Sequence, residues 1–361
     1  MARRTGRLLA CGALLALAVA GQPAATARPE RPAPVGSDAF TPAQPYRGDF
    51  PDPTVWRVGG RFYAAATTVS ALNLPVLTST DLRTWTTRPA NDSANDSATP
   101  WLNDALPVPA SWARTQVTSG GRAWAATWAP SVLRISTGTF VAAYSVPRAG
   151  DGRRCISLAR SAAPMGPYVD ATTGPQTCGP AGVIDPQLFV DRGQMWMAYK
   201  MEGAPDRLLV RKMNKYATGF AVGSRNYTLL TASASWEGTV VENPAMIRHR
   251  KRLYLIYSGH GYGTAKYATG YAVCRTVTGP CVRRTRLLVT GRILAGPGGA
   301  TPFRDVSGQL RLAYHAWPVG NVGYPGSTSC LTTTKGCAQR RLYVATLGVG
   351  KRGNLLVRRY F

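Results

Sequence analysis

Gly48-Asp49-Phe50-Pro51-Asp52-Pro53-Thr54-Val55-Trp56-Arg57-Val58-Gly59-Gly60-Arg61-Phe62-Tyr63 holds the unit from which the rest of the chain is built. An Asp-Pro step leads into a short apolar run, Gly59-Gly60 turns the chain, and a second run rich in aromatic and small apolar residues follows. Two apolar runs split by Gly-Gly read as a β-hairpin. Pro53 has a fixed φ and no N–H to give to a ladder. It therefore belongs at the first position of a strand, with Asp52 just outside.

The unit recurs four times. Ala129-Pro130-Ser131-Val132-Leu133 runs on to Phe140-Val141-Ala142-Ala143-Tyr144, and Asp185-Pro186-Gln187-Leu188-Phe189 to Met195-Trp196-Met197-Ala198-Tyr199. Asn243-Pro244-Ala245-Met246-Ile247 runs on to Leu253-Tyr254-Leu255-Ile256-Tyr257, and Thr301-Pro302-Phe303 to Leu310-Arg311-Leu312-Ala313-Tyr314. Pro53, Pro130, Pro186, Pro244 and Pro302 are 77, 56, 58 and 58 residues apart. Strand-only self-similarity at this period predicts an all-β, five-bladed β-propeller, and the long first gap calls for an insertion of about 20 residues. Strand starts in a propeller converge at one mouth of the central channel. The residues before the prolines, Asp52, Ala129, Asp185, Asn243 and Thr301, are therefore expected there, with Glu242 beside Asn243.

Outward from the repeat, Arg3, Arg4 and Arg7 precede the apolar run 8–20, and Ala25-Thr26-Ala27 offers a small-residue cleavage pattern. Residues 1–27 read as a secretory signal peptide, with an apolar run too short to span a membrane as a helix. Leu9-Ala10-Cys11 is similar to a lipoprotein box but sits too early. Residues 28–42 read as a Pro-rich disordered lead-in, and 43–361 as the propeller. The expected setting is extracellular, as a monomer with no membrane partner.

Forty-three basic against 17 acidic side chains give a formal charge of +26. The arginines scatter through turns and loops, without a basic helix or RNA-binding motif, which argues against nucleic acid. An anionic wall polymer such as pectin or glucuronate-bearing xylan suits the charge better. Six cysteines remain once Cys11 leaves with the leader, an even number in an exported chain. Fifteen connectivities are open. Closeness in sequence favours Cys155–Cys178, Cys274–Cys281 and Cys330–Cys337. No C-x-x-C pair exists and His249, His260 and His315 lie far apart, which argues against zinc.

Between the first two repeats, Asp81-Leu82-Arg83-Thr84-Trp85 reads as an outer strand. Asn91-Asp92-Ser93 and Asn95-Asp96-Ser97 match the N-glycosylation sequon and equally suit a solvated turn. Trp101, Trp112, Trp124 and Trp128 follow. Most tryptophans are core, but sugar rings stack on aromatic faces, which makes Trp124 and Trp128 candidates for a substrate cleft.

Asp-Pro is a favoured strand entry, which accounts for one instance but not for Asp52, Asp185 and Glu242 in different repeats. Carboxylates around one pocket can divide labour: one is kept protonated and donates to a leaving oxygen, while an ionised one activates water. Glu237, five residues before Glu242 and without the proline step, is the weaker acid candidate.

Asp49-Phe50-Pro51-Asp52-Pro53, Trp128-Ala129-Pro130, Ile184-Asp185-Pro186, Val241-Glu242-Asn243-Pro244 and Ala313-Tyr314-His315-Ala316-Trp317 together resemble glycoside hydrolase family 43, from about residue 46 to 347. The resemblance implies a five-bladed propeller that hydrolyses arabinan or xylan with inversion. It makes Asp52 the general base, Glu242 the general acid, and Asp185 the residue that orients the acid and raises its pKa. Trp128 matches an aromatic that contacts the bound sugar. His315 matches a fifth-blade histidine on the channel axis, which in some members binds an ion or water; a hydrogen-bonded core histidine is the other reading. No cofactor is implied beyond a calcium ion in that channel. Two departures stand out: Asn243 where Gly or Ala is usual, and Gly299 after Gly296-Pro297-Gly298 where many relatives carry His. The expected substrates are arabinose- or xylose-containing polysaccharides, with an α-L-arabinofuranosidase or arabinanase first. An exo-β-xylosidase, an exo-galactanase and a non-catalytic, lectin-like propeller are the alternatives.

Overall fold

The structure, a computed structural model, describes residues 35–36, 48–87, 104–324 and 338–360. The leader, both sequons, Trp101 and the Cys330–Cys337 pair lie outside these residues. The described chain has no helix, and its strands form five antiparallel blades. Blade one holds β2 (Thr54–Val58), β3 (Arg61–Ala65) and β4 (Val76–Ser79). Blade two holds β7 (Trp128–Arg134), β8 (Phe140–Pro147), β9 (Arg154–Ser161) and β10 (Thr177–Cys178). Blade three holds β11 (Val183–Asp191), β12 (Gln194–Met201), β13 (Arg207–Lys212) and β14 (Tyr227–Thr231). Blade four holds β15 (Val241–His249), β16 (Arg252–Gly259), β17 (Ala268–Cys274) and β18 (Cys281–Val289). Blade five holds β19 (Leu294–Arg304), β20 (Leu310–Pro318), β21 (Arg341–Val349) and β22 (Leu355–Tyr360). The first strands β2, β7, β11, β15 and β19 touch in that order and close on β2. A small hairpin of β5 (Thr115–Val117) and β6 (Ala123–Ala125) fills part of the insertion. Inside the Pro-rich lead-in, β1 (Val35–Gly36) pairs in parallel with Leu288 and Val289 at the outer edge of blade four.

The unbroken apolar strands follow from burial on both faces of each blade. Side chains alternate across a strand, so successive residues of an inner blade face two different cores. In β8, Phe140, Ala142, Tyr144 and Val146 join the core against blade one, whereas Val141 and Ala143 join the core against blade three. Further cores lie between blades three and four, around Phe189 and Leu255, and between four and five, around Ile256 and Leu312. The last, with Val55, Phe62, Phe303 and Leu342, joins blade five to blade one. Among the described residues no strand is shared between those two blades. Side chains, with a backbone hydrogen bond from the Phe50 N–H to the Arg340 carbonyl, therefore hold the ring shut.

Four of the five first strands, β7, β11, β15 and β19, carry a β-bulge at the repeat step with a left-handed residue in it, and in blade one Asp52 takes the same conformation just ahead of β2. Asp52, Ala129, Asp185 and Asn243 have φ of 52°, 42°, 57° and 48°. In blade five the equivalent residue is Gly299 at φ 58°, because the register skips between Gly298 and Thr301. This corrects the sequence reading, which followed the proline to Thr301. Ala300 occupies the proline position, and Pro302 lies two residues further along the strand. Glycine takes the left-handed conformation without steric cost, and here a Cβ would come 2.6 Å from His315 Nδ1 and 3.0 Å from Asp52 Oδ1.

The outer strand expected over residues 81–85 is also corrected. The Asp81 carboxylate accepts the N–H groups of Arg83 and Thr84 and folds the segment into a turn. Only Thr86 bridges back, to Thr78. The side-chain oxygen competes with the ladder for the backbone, as short acids do.

Two of the three expected disulfides are present, Cys155–Cys178 and Cys274–Cys281. Each joins directly paired residues of neighbouring strands. Peptide mapping without reductant should recover both; a free thiol at any of these four positions would contradict the pairing.

Candidate active site

The left-handed steps put one backbone N–H of every blade at the channel, and four of the five are caught by a side chain from the second-strand side of the preceding blade. Thr67 Oγ1 accepts from Ala129 at 2.9 Å, Ser145 Oγ from Asp185 at 3.0 Å, and Ser258 Oγ from Gly299 at 3.0 Å. His315 Nδ1 accepts from Asp52 at 2.9 Å. The fifth N–H, that of Asn243, is taken at 2.9 Å by Asp185 Oδ2. The ring of hydrogen bonds thus fixes the backbone from which the site side chains project.

Above it opens a cavity of about 420 Å³, lined by Asp52, Asp185, Glu242 and Trp128 with Lys200, Glu202, Tyr262, Tyr324 and Arg340 among others. Below, the channel is nearly filled, with about 20 Å³ left between the bulges. Three carboxylates from blades one, three and four therefore meet at one mouth, as the repeat predicts. Asp52 accepts Thr67 Oγ1 at 2.7 Å and lies 3.3 Å from a guanidinium nitrogen of Arg340. Arg340 is buried. It donates through Nε to the Tyr324 hydroxyl at 3.0 Å, and its backbone N–H reaches Asp49 Oδ1 at 2.7 Å. Burial opposes the Arg340 charge, yet Asp52, Tyr324 and Asp49 hold the guanidinium firmly protonated.

Glu242 is held at both oxygens. Oε1 accepts the Tyr267 hydroxyl at 2.7 Å, and Oε2 accepts Lys200 Nζ at 3.0 Å. Tyr267 also reaches Asn243 Oδ1 at 2.7 Å, so the asparagine found where a small residue is usual belongs to this network. The Tyr267 ring lies against Gly298, where any Cβ would collide with it. Burial above all, then the Glu242 charge, push the Asp185 carboxyl well above the ordinary carboxylate range, against the pull of Lys200.

His315 does not open to the cavity. It is fully buried, stacked on Tyr267 with ring centroids 5.8 Å apart. Burial, and then the Arg340 charge, push its pKa well below the ordinary value, so the ring is neutral. With Nδ1 accepting from Asp52, the proton sits on Nε2, which is buried without a protein partner among the described residues. A ring N–H is a donor and cannot ligate a cation. Calcium wants six to eight oxygens, and Gly299 brings no side chain. The donors around His315 do not fit a calcium ion, and no step is assigned to one. The histidine positions Asp52 instead.

Trp128 lines the cavity, with the Arg154 guanidinium 2.9 Å from the ring centroid on one face. Burial pushes Arg154 down to about 10. Trp124 is half-buried on β6, paired with Gln116, and is not among the residues lining the cavity. Glu237 is buried and fully engaged by Arg283, the Tyr257 hydroxyl and the N–H groups of Ser233 and Ala234. It braces a turn and is not at the mouth. The sequence reading missed Lys200, Tyr267 and Arg340. Lys200 lies on the second strand of blade three and Tyr267 just before the third strand of blade four, and Arg340 comes from the opposite end of the chain.

Comparison with known proteins agrees with this geometry. Residues 44–340 match the model of Glycosyl hydrolases family 43. The extracellular endo-alpha-(1->5)-L-arabinanase of Thermotoga petrophila is 30% identical over 169 residues, 41% of this chain and 33% of that protein. The match thus spans about a third of the length of that curated relative. A crystal structure of a thermostable family-43 glycoside hydrolase superposes with a TM-score of 0.65 at 22% identity, covering 86% of this chain and 93% of that one. An endo-1,4-beta-xylanase from Bacteroides thetaiotaomicron gives 0.64 at 21%, covering 86% and 94%. At such identities the likeness is one of fold, whereas the family match runs from just before the first blade to the arginine beside Asp52. The chain belongs to glycosyl hydrolases family 43.

Proposed function

We propose that the protein is an exported glycosidase that cleaves arabinofuranosyl links of plant cell-wall polysaccharide by single displacement with inversion. The observation that carries the reading is the meeting of Asp52, Asp185 and Glu242, from three blades, in one cavity walled by Trp128. Asp52 is the general base. Thr67 and Arg340 hold its carboxylate and His315 its backbone, so it stands ready to take a proton from water. Glu242 is the general acid. Burial above all, then the Glu242 charge, raise the Asp185 carboxyl, and its Oδ2 accepts the Asn243 N–H next to the acid. Asp185 thus acts as the residue that orients the acid and modulates it. Trp128 offers an apolar wall for the sugar ring.

Family membership and the extracellular arabinanase relative support an arabinan substrate and export. Among the described residues no helix is long and apolar enough to cross a membrane. The basic surface suits an anionic wall, and the propeller is taken to span 43–361. Proton NMR of the first sugar released from arabinan tests the mechanism, and inverted anomeric configuration is expected. Retention would overturn it. Nitrophenyl arabinofuranoside, xylopyranoside and galactopyranoside tested side by side decide the sugar; faster turnover of either pyranoside would replace arabinose in this reading.

A further inference from the structure

The ring of backbone hydrogen bonds has one irregular member. At the second-strand register where blades one, two, four and five carry Thr67, Ser145, Ser258 and His315, blade three carries Lys200. An ammonium only donates, so it cannot catch the Asn243 N–H, and Asp185 does so instead. Blade three has given up the repeat's structural solution, and the replacement points into the site. Lys200 Nζ lies 2.9 Å from Asp206 Oδ2 and 3.0 Å from Glu242 Oε2, with its side chain nearly buried. Asp206 is itself held: its Oδ1 accepts the N–H of Gly203, and its backbone accepts from Ala232.

We propose that Lys200 is a positioning residue for the acid, with Asp206 as the counter-charge that sets how strongly it acts. It draws Oε2 of Glu242 toward blade three while Tyr267 fixes Oε1, and it favours the charged form that Glu242 reaches when its proton has gone to the leaving oxygen. The charged and titratable groups facing it are Glu242 and Asp185, Asp206, and Glu202 with Arg154 behind it. A catching Ser or Thr at this register would do none of this. The assignment rests on the reading of Glu242 as the acid.

The chain has only four glutamates, Glu30, Glu202, Glu237 and Glu242, so ¹³C-glutamate labelling makes the Glu242 carboxyl readable by NMR titration, identified by its loss in Glu242→Gln. In Lys200→Met its midpoint is expected to move to higher pH by about one unit or more, since an opposite charge at this distance has been removed. In Asp206→Asn it should move to lower pH, because the ammonium loses its other partner. The basic limb of the pH profile for kcat/KM on arabinan should move in the same two directions. Lys200→Arg, which keeps the charge, should stay near the wild type, and together with Asp206→Asn it decides the matter if Lys200→Met does not fold. Midpoints that coincide with the wild type, or that move the same way in both variants, overturn the proposal. Opposed shifts in a protein inactive on every glycoside would uphold the Lys200 contact and sink the reading of Glu242. Unchanged midpoints in an active enzyme would sink Lys200 alone.

Discussion

Asp52→Ala is expected to lower kcat on arabinan and on aryl glycosides alike by about 10³- to 10⁴-fold, the upper range for loss of a general base. Its partners Thr67, Arg340 and His315 stay in place, so the ring should survive the change. Azide added to this variant can occupy the vacated space and restore part of the turnover as a glycosyl azide. Glu242→Ala should behave differently. Natural polysaccharide has a poor leaving group and should lose about 10²- to 10⁴-fold, whereas an aryl glycoside needs little protonation and should lose far less. Equal losses on both substrates in Glu242→Ala would move the acid elsewhere. Near-normal activity of Asp52→Ala would remove the base.

Arg340→Met is expected to cost about 3–5 kcal/mol of stability, the range for leaving a buried charge without its partner. The guanidinium is buried within reach of Asp52 and beside the Tyr324 hydroxyl that bonds Asp49, on blade elements from opposite ends of the chain. Burial already raises the Asp49 pKa, and Arg340 is the main influence that lowers it. Without Arg340 the folded-state value rises further above the unfolded one. A carboxyl raised on folding is tolerated while protonated and becomes a burden as pH climbs through its folded value. The deficit should therefore be small near about pH 4 and grow toward about pH 8. Chemical denaturation of wild type and variant at both pH values measures this. A deficit independent of pH, or one that shrinks as pH rises, would place the closure of the ring elsewhere. Activity should fall as well, since Asp52 loses its cationic neighbour.

Much of the architecture was legible because it repeats. The Pro-led hairpins at 56–58 residues carried the number of blades and the first-strand positions, and those steps carried Asp52, Asp185 and Glu242 to one mouth. The reading slipped where it followed the residue rather than the geometry. In blade five the left-handed position is filled by Gly299 without a proline, and the nearest proline is two residues off. In blade one the Asp81 side chain took the backbone N–H groups that an outer strand would have used.

The sequence by itself determined the repeat, the strand entries and the three carboxylates, because those depend on local backbone preferences that a proline or a turn announces. Only the tertiary structure decided what surrounds each carboxylate. Lys200 lies 42 residues from Glu242 in sequence, and Arg340 lies 288 from Asp52. A lysine or arginine in a strand looks the same whether it faces solvent or a buried acid. His315 likewise reads from its motif either as an axial ligand or as a hydrogen-bonded core histidine, and only ring closure set its tautomer by giving Nδ1 the N–H of Asp52. Charge, protonation and hydrogen-bond direction at the mouth are properties of groups brought together across blades, and no local pattern encodes them.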